Sequence, residues 1–234
     1  MDGQEVVGRL NARGFLFDDY FLSEMCLHIS DSRGFQPEAG SPQMVLQRGL
    51  RDNKQVVTPR HWRTGEMILR SNVTFRLAEP GDEHILRDML YLAVFVPPGS
   101  PPPHYSVVAQ PELARYVHSW GRRGDDGTIA IASSGQPVGA AWLRLWSEQD
   151  HGYGFVDALT PELSVAVRPE DRGGGIGTEL LWRLLQRADE SYERVSLSVS
   201  VQNPAVRLYQ RFGFRSVAVD SASMTMTRIR PTPA

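Results

Sequence analysis

From Asn72 onward the apolar positions of this chain fall into two alternating periods. Val73, Phe75 and Leu77 alternate with polar Thr74 and Arg76, the pattern of a half-buried strand. Pro80, Gly81 and Asp82 read as a turn carrying an N-cap, and Ile85, Leu86, Met89, Leu90 and Ala93 then recur at helical spacing. That helix must stop by the proline-rich loop 97–103. A second helix is predicted over Pro111–Trp120, followed by a turn at Arg122–Gly127. Residues 128–132, 138–146 and 159–167 read as strands separated by Gly, Pro and Asp, which suggests an antiparallel meander joined by short turns. Ile176, Leu180, Leu181, Leu184, Leu185 and Ala188 mark an amphipathic helix, and Val195, Leu197, Val199 and Val201 a strand. Asn203, Pro204 and Gly213 bracket a short helix with Val206, Leu208 and Phe212, and 214–219 and 223–229 close the series. The predicted class is α/β: a mixed sheet of six to seven strands flanked by helices on both faces.

Residues 1–70 keep no period. Short apolar clusters such as Phe15, Leu16, Phe17 and Phe21, Leu22 alternate with Gly, Pro and charge. The expected organisation is an irregular or poorly ordered extension over 1–70, with no assignable function, and one domain over 72–230. Met67 lies six residues before the first strand, so a start of translation there is a second reading, tested by mass spectrometry of the native N-terminus.

Composition narrows the chemistry. A formal net charge of −2 gives no pull toward nucleic acid or an anionic membrane, and no run of 18 apolar residues is present. Residues 1–20 are too charged for a signal peptide. Cys26 is the single cysteine, so a disulfide framework and a Cys-rich zinc site are both excluded, and a reducing cytoplasm is the simplest expectation. The scattered histidines lack ligand spacing, and no metal is expected.

The most informative stretch is 161–188, a strand, a glycine-rich loop and a long helix in direct succession. A helix N-terminus offers unpartnered N–H groups and positive partial charge, and glycines let an anion approach the main chain. Arg172 adds a full charge. The phosphate-loop pattern GxxxxGK[ST] fails because no lysine follows, and the dinucleotide fingerprint read from Gly173 fails at Thr178. What remains, Arg172-Gly173-Gly174-Gly175-Ile176-Gly177, resembles the pyrophosphate signature [Q/R]-x-x-G-x-[G/A] of the GNAT superfamily of N-acetyltransferases. The resemblance continues upstream in LSVAV followed by RPE, like that family's fourth strand, and downstream in NPAVRLYQRFGF. It is strong over 160–216, rests on element order over 72–160, and is absent before 70.

The resemblance implies an acetyl-CoA-dependent acyltransferase moving an acetyl group to a primary amine, with acetyl-CoA as cosubstrate. It implies that Gly173, Gly174, Gly175, Ile176, Gly177 and Thr178 grip the pyrophosphate with Arg172 assisting. Val165, Ala166 and Val167 would pair with the pantetheine arm where the sheet parts. Asn203 would contact the cofactor, cap the next helix, or do both. Tyr209 matches the tyrosine that serves as general acid to the thiolate, with ordinary packing beside Leu208 and Phe212 as the plainer reading. Glu162 is the best base candidate, provided no bulge changes its face, with Glu148, His151 and Asp157 as weaker ones. The acceptor, a small-molecule or peptide amine, would meet aromatics drawn from Tyr91, Phe95, His104, Tyr105, Trp142, Trp146, Tyr153 and Phe155, at least half of them core. A homodimer is compatible with this reading. The rivals from other classes are a CoA-binding sensor or interaction module without turnover and a peptide-binding protein using the aromatic groove.

Overall fold

The computed structural model describes residues 72–232. The expectations about 1–70 and about Met67 lie outside the described residues. Among those described, no helix is long and apolar enough to cross a membrane.

Seven strands form one mixed sheet in the order β1-β2-β3-β4-β5-β7-β6. β1 (Val73–Leu77), β2 (Asp126–Ala132), β3 (Pro137–Arg144) and β4 (Glu162–Val167) pair antiparallel in sequence order. β5 (Arg194–Ser200) lies parallel to β4, and β7 (Ser223–Ile229) inserts antiparallel between β5 and the edge strand β6 (Arg215–Val219). The helices are α1 (Glu83–Ala93), the single turn α2 (Pro111–Ala114), α3 (Ile176–Ser191) and α4 (Val206–Arg211).

α3 buries Ile176, Leu180, Leu181, Leu184, Leu185 and Ala188, one continuous stripe. The stripe joins Leu143, Leu163, Val195, Leu197, Val199 and Phe214 in the main core, with Val165 and Val167 packed against it. Strand alternation turns Glu162, Ser164 and Ala166 to the opposite face. The β3–β4 register runs unbroken from Arg144↔Glu162 to Gly139↔Val167, so no bulge disturbs that assignment.

Two expectations need correction. The helix predicted over Pro111–Trp120 ends at Ala114, and the chain continues in turns. The carbonyls of Arg115 and His118 accept the buried Arg144 guanidinium, which Asp125 neutralises at 2.7 Å. Ser119 then adopts φ 54° and Gly121 φ 98°, outside helical space. The short turn expected between the third and fourth strands is a long connection over 145–161, and β4 starts at Glu162 rather than 159. Its glycines fold it back onto the Glu162 face of the sheet.

Candidate active site

The sheet comes apart where β4 and β5 meet. Arg168 N–H donates to Val138 O, so the even-numbered residues of β4 bond to β3 and the main-chain groups of Leu163, Val165 and Val167 aim toward β5. β5 meets β4 at one register pair, Glu162↔Ser196, where Ser196 N–H donates to Pro161 O at 3.0 Å. Beyond that pair the strands diverge, and Val165 and Val167 present main-chain groups to a gap. Ala166 differs from its neighbours, because its main-chain groups face Ala140 of β3. The Val167 carbonyl accepts Arg172 Nε at 3.0 Å, which draws the loop arginine to the gap's outer end.

The glycine-rich loop closes that end. Gly173 and Gly175 take φ 78° and 91°, left-handed values that glycine reaches without Cβ strain, and Gly175 is the N-cap of α3 with no side-chain cap. Among the described residues, the N–H groups of Gly173, Gly174, Gly175, Ile176, Gly177 and Thr178 have no acceptor, and the first helical bond is Glu179 N–H to Gly175 O. Such a run of free donors at the positive end of a helix fits an anionic diphosphate. A Cβ on Gly177 would lie 3.5 Å from Val167 and 3.9 Å from Leu208, so this loop, the β4 edge and α4 enclose one space.

Tyr209 of α4 is 8% exposed, and its ring meets Phe214 edge-on at 6.1 Å. Its hydroxyl makes no hydrogen bond among the described residues, and because no fully buried side-chain oxygen there lacks a partner, the oxygen itself reaches open space while the ring is buried. Burial pushes its pKa up to about 12, so the phenol stays protonated at neutral pH. Asn203 Oδ1 accepts Ala205 N–H at 2.9 Å in the turn that leads into α4, but the N-cap of α4 is Ala205 with no side-chain cap, so the capping role expected of Asn203 is replaced by a turn bond just upstream.

Glu162 lies on the other face, 3% exposed. Its Oε1 accepts the Tyr116 hydroxyl and Gly154 N–H, each at 2.8 Å, and its Oε2 accepts Trp146 Nε1–H at 2.8 Å. Loss of solvation raises its pKa to about 7, against the opposing pull of these three donors and of His151. The folded value exceeds the ordinary 4.5, so the folded chain keeps a proton that the unfolded chain releases. Stability tied to Glu162 is therefore full below 4.5 and is lost as pH rises through about 7. Glu162→Gln cannot titrate, so its melting temperature relative to the parent should climb across that window and level off above it; a pH-independent difference would contradict the raised value.

The other base candidates are otherwise engaged or remote. Asp157 accepts Leu159 N–H and pairs with Arg194 at 3.4 Å, His151 stacks on Phe155 at 4.5 Å, and Glu148 is exposed. Of the aromatics, Trp142 and Trp146 are core and donate to Tyr116 O and Glu162, while Tyr91 donates to Pro103 O and tilts against Tyr105. His104 caps Ser106 N–H, Phe95 is half-buried, and Tyr153 is exposed. Tyr116 was not singled out from the sequence, nor were Gly152 and Gly154. Tyr116 stands 46 residues from Glu162, and no local period reports such a pairing.

The fold has a counterpart among solved structures. The putative acetyltransferase yncA from Salmonella typhimurium, solved with acetyl-CoA, is 23% identical over 70% of this chain and 97% of its own, with a TM-score of 0.50, which shows a shared fold. A ribosomal-protein-alanine N-acetyltransferase from Brucella melitensis (21% identical, 67% of this chain, 99% of its own, TM-score 0.47) and a phosphinothricin acetyltransferase from Sinorhizobium meliloti (19%, 68%, 89%, 0.48) are also similar. No curated protein sequence matches. The profile of the Acetyltransferase (GNAT) family matches residues 98–214, half of the chain and all of the glycine loop and the Tyr209 helix, and the chain belongs to that family.

Proposed function

We propose that the domain over 72–230 transfers an acetyl group from acetyl-CoA to a primary amine, on a small molecule or a peptide, by direct attack on the thioester. The observation that carries this reading is the run of free N–H groups from Gly173 to Thr178, set beside the unpaired β4 edge. The loop amides and Arg172 would hold the pyrophosphate. Val165 and Val167 would pair with the pantetheine arm, Ala166 lining it and Asn203 standing at its flank. Holding both reactants in register then supplies much of the rate. A single cysteine in the whole chain suits a reducing cytoplasm.

The chain's own groups then move two protons. An alkylamine has a pKa of about 10.4, so its attacking form is scarce near neutrality and a base must take a proton. Glu162 at about 7 suits that task, being largely ionised just above neutrality and still basic. Tyr209 keeps its proton and has a free hydroxyl, so it can donate to the sulfur as the C–S bond breaks, and the second proton that the nitrogen sheds in becoming an amide restores the phenol.

Acetyl-CoA is expected to raise the melting temperature in proportion to its binding, and a panel of amines should include one that releases free thiol from it. Stabilisation without thiol release over a broad panel would instead favour a CoA-binding module. Absence of both would refute the proposal.

A further inference from the structure

Residues 151–155 lie directly over Glu162. Gly154 sits so close beneath β5 that a Cβ there would fall 2.7 Å from Leu197 C, Ser198 N and Glu162 Oε1 alike. Leu197 and Ser198 follow Ser196, the last point at which β5 pairs with β4, so the segment covers the apex of the gap on the Glu162 face. Its hold is concentrated in one place. Tyr116 OH donates to Glu162 Oε1 and accepts Tyr153 N–H at 2.7 Å, and its ring stacks on Tyr153 with centroids 6.4 Å apart. Gly154 N–H adds the second bond to the same carboxylate. The segment's first residue is tied more superficially, by Arg115 to His151 O, and its flanks by Arg115 to Asp150 and by Arg194 to Asp157.

We propose that residues 151–155 form a lid over the acceptor end of the site, and that Tyr116 is the positioning residue that latches this lid by joining Tyr153 N–H to the Glu162 carboxylate. The proposal rests on the reading of Glu162 as the proton acceptor. With the lid down, Glu162 is sealed from any amine, and the segment must lift before a proton can reach it. Lifting breaks the bonds of Tyr153 N–H to Tyr116 and Gly154 N–H to Glu162 and, at its first residue, that of Arg115 to His151 O, and leaves Trp146 and Tyr116 holding the carboxylate. The charged and titratable groups facing Glu162 are Tyr116 from the turns after α2, His151 from the lid, and Arg144 across the register on β3, whose charge Asp125 neutralises; β5 contributes Ser196.

Tyr116→Phe keeps the ring and removes the latch. Amide hydrogen exchange at Tyr153 and Gly154 should accelerate by about tenfold, the worth of one net hydrogen bond, while β3 amides stay protected. The Tyr116 bond is also the strongest of those holding the Glu162 carboxyl down, so the acid limb of kcat/KM for the acceptor should move to higher pH. Gly154→Ala, which leaves Tyr116 intact and forces a methyl against β5, should speed exchange at Tyr153 as well. Unchanged exchange in both variants overturns the lid, and an acid limb that stays in place while exchange rises overturns the coupling through Glu162. Exchange is read on the free protein, so failure of the parent to acetylate any amine would count against the proposed function and is distinguishable from failure of the lid.

Discussion

Gly175→Glu is expected to remove measurable acetyl-CoA binding, with affinity falling by at least about a thousandfold, or roughly 4 kcal/mol. Three effects add. Gly175 has φ 91°, and an L-residue there carries about 1–2 kcal/mol of strain that the loop relieves by leaving the geometry that gathers its amides, so binding must restore it. The new carboxylate would itself engage the free amides of Ile176, Gly177 and Thr178, taking the donors a diphosphate needs. Its charge would then repel any phosphate that approached. Titration calorimetry checks the outcome, with a thermal melt to verify folding. Undiminished affinity in a folded variant would show that the grip lies elsewhere.

Tyr209→Phe should lower kcat by about a hundredfold, the lower end of what general acid catalysis contributes, with acetyl-CoA affinity little changed. The hydroxyl interaction strengthens only as charge develops on sulfur, so the loss appears in the rate rather than in binding. The structure sharpens the control. Tyr209 gives its hydroxyl to no described neighbour, and phenylalanine keeps the edge contact with Phe214, so the melting temperature should hold. A variant with the parent's melting temperature and the parent's kcat would end the assignment.

Much of this architecture was legible because local periodicity and core packing ask for the same residues. The α3 stripe is both the helical period and the core face, and Gly173 and Gly175 stand where the main chain takes left-handed values. Legibility failed where a distant side chain overrode the local pattern. Pro111–Trp120 has a helical period, yet the buried Arg144 takes the carbonyls of Arg115 and His118. The connection 145–161 carries apolar residues that pack without regular pairing, since Trp146, Gly152 and Gly154 gather around Glu162. The insertion of β7 between β5 and β6 likewise depends on which edges remain free, a property of the assembled sheet. At the candidate site, the loop could be read from its glycines, whereas Tyr116 could not be read at all, because its importance lies in a hydroxyl shared between two segments distant in the chain.

The single register pair between β4 and β5 has a mechanical consequence. The β1–β4 meander and the β5-β7-β6 ribbon behave as two leaves bound along one short spine, with α3 laid against the core behind them. Motion that widens the leaves past the Glu162–Ser196 pair breaks no main-chain bond between β4 and β5, so the seam can open there without unfolding either leaf. An extended ligand that satisfies Val165 and Val167 would act as a suture, joining the leaves into one cooperative body and sharpening the unfolding transition as well as raising its midpoint. The site that lacks a strand is thus also a seam with little main-chain pairing, and an occupant of the gap would stiffen the fold along it.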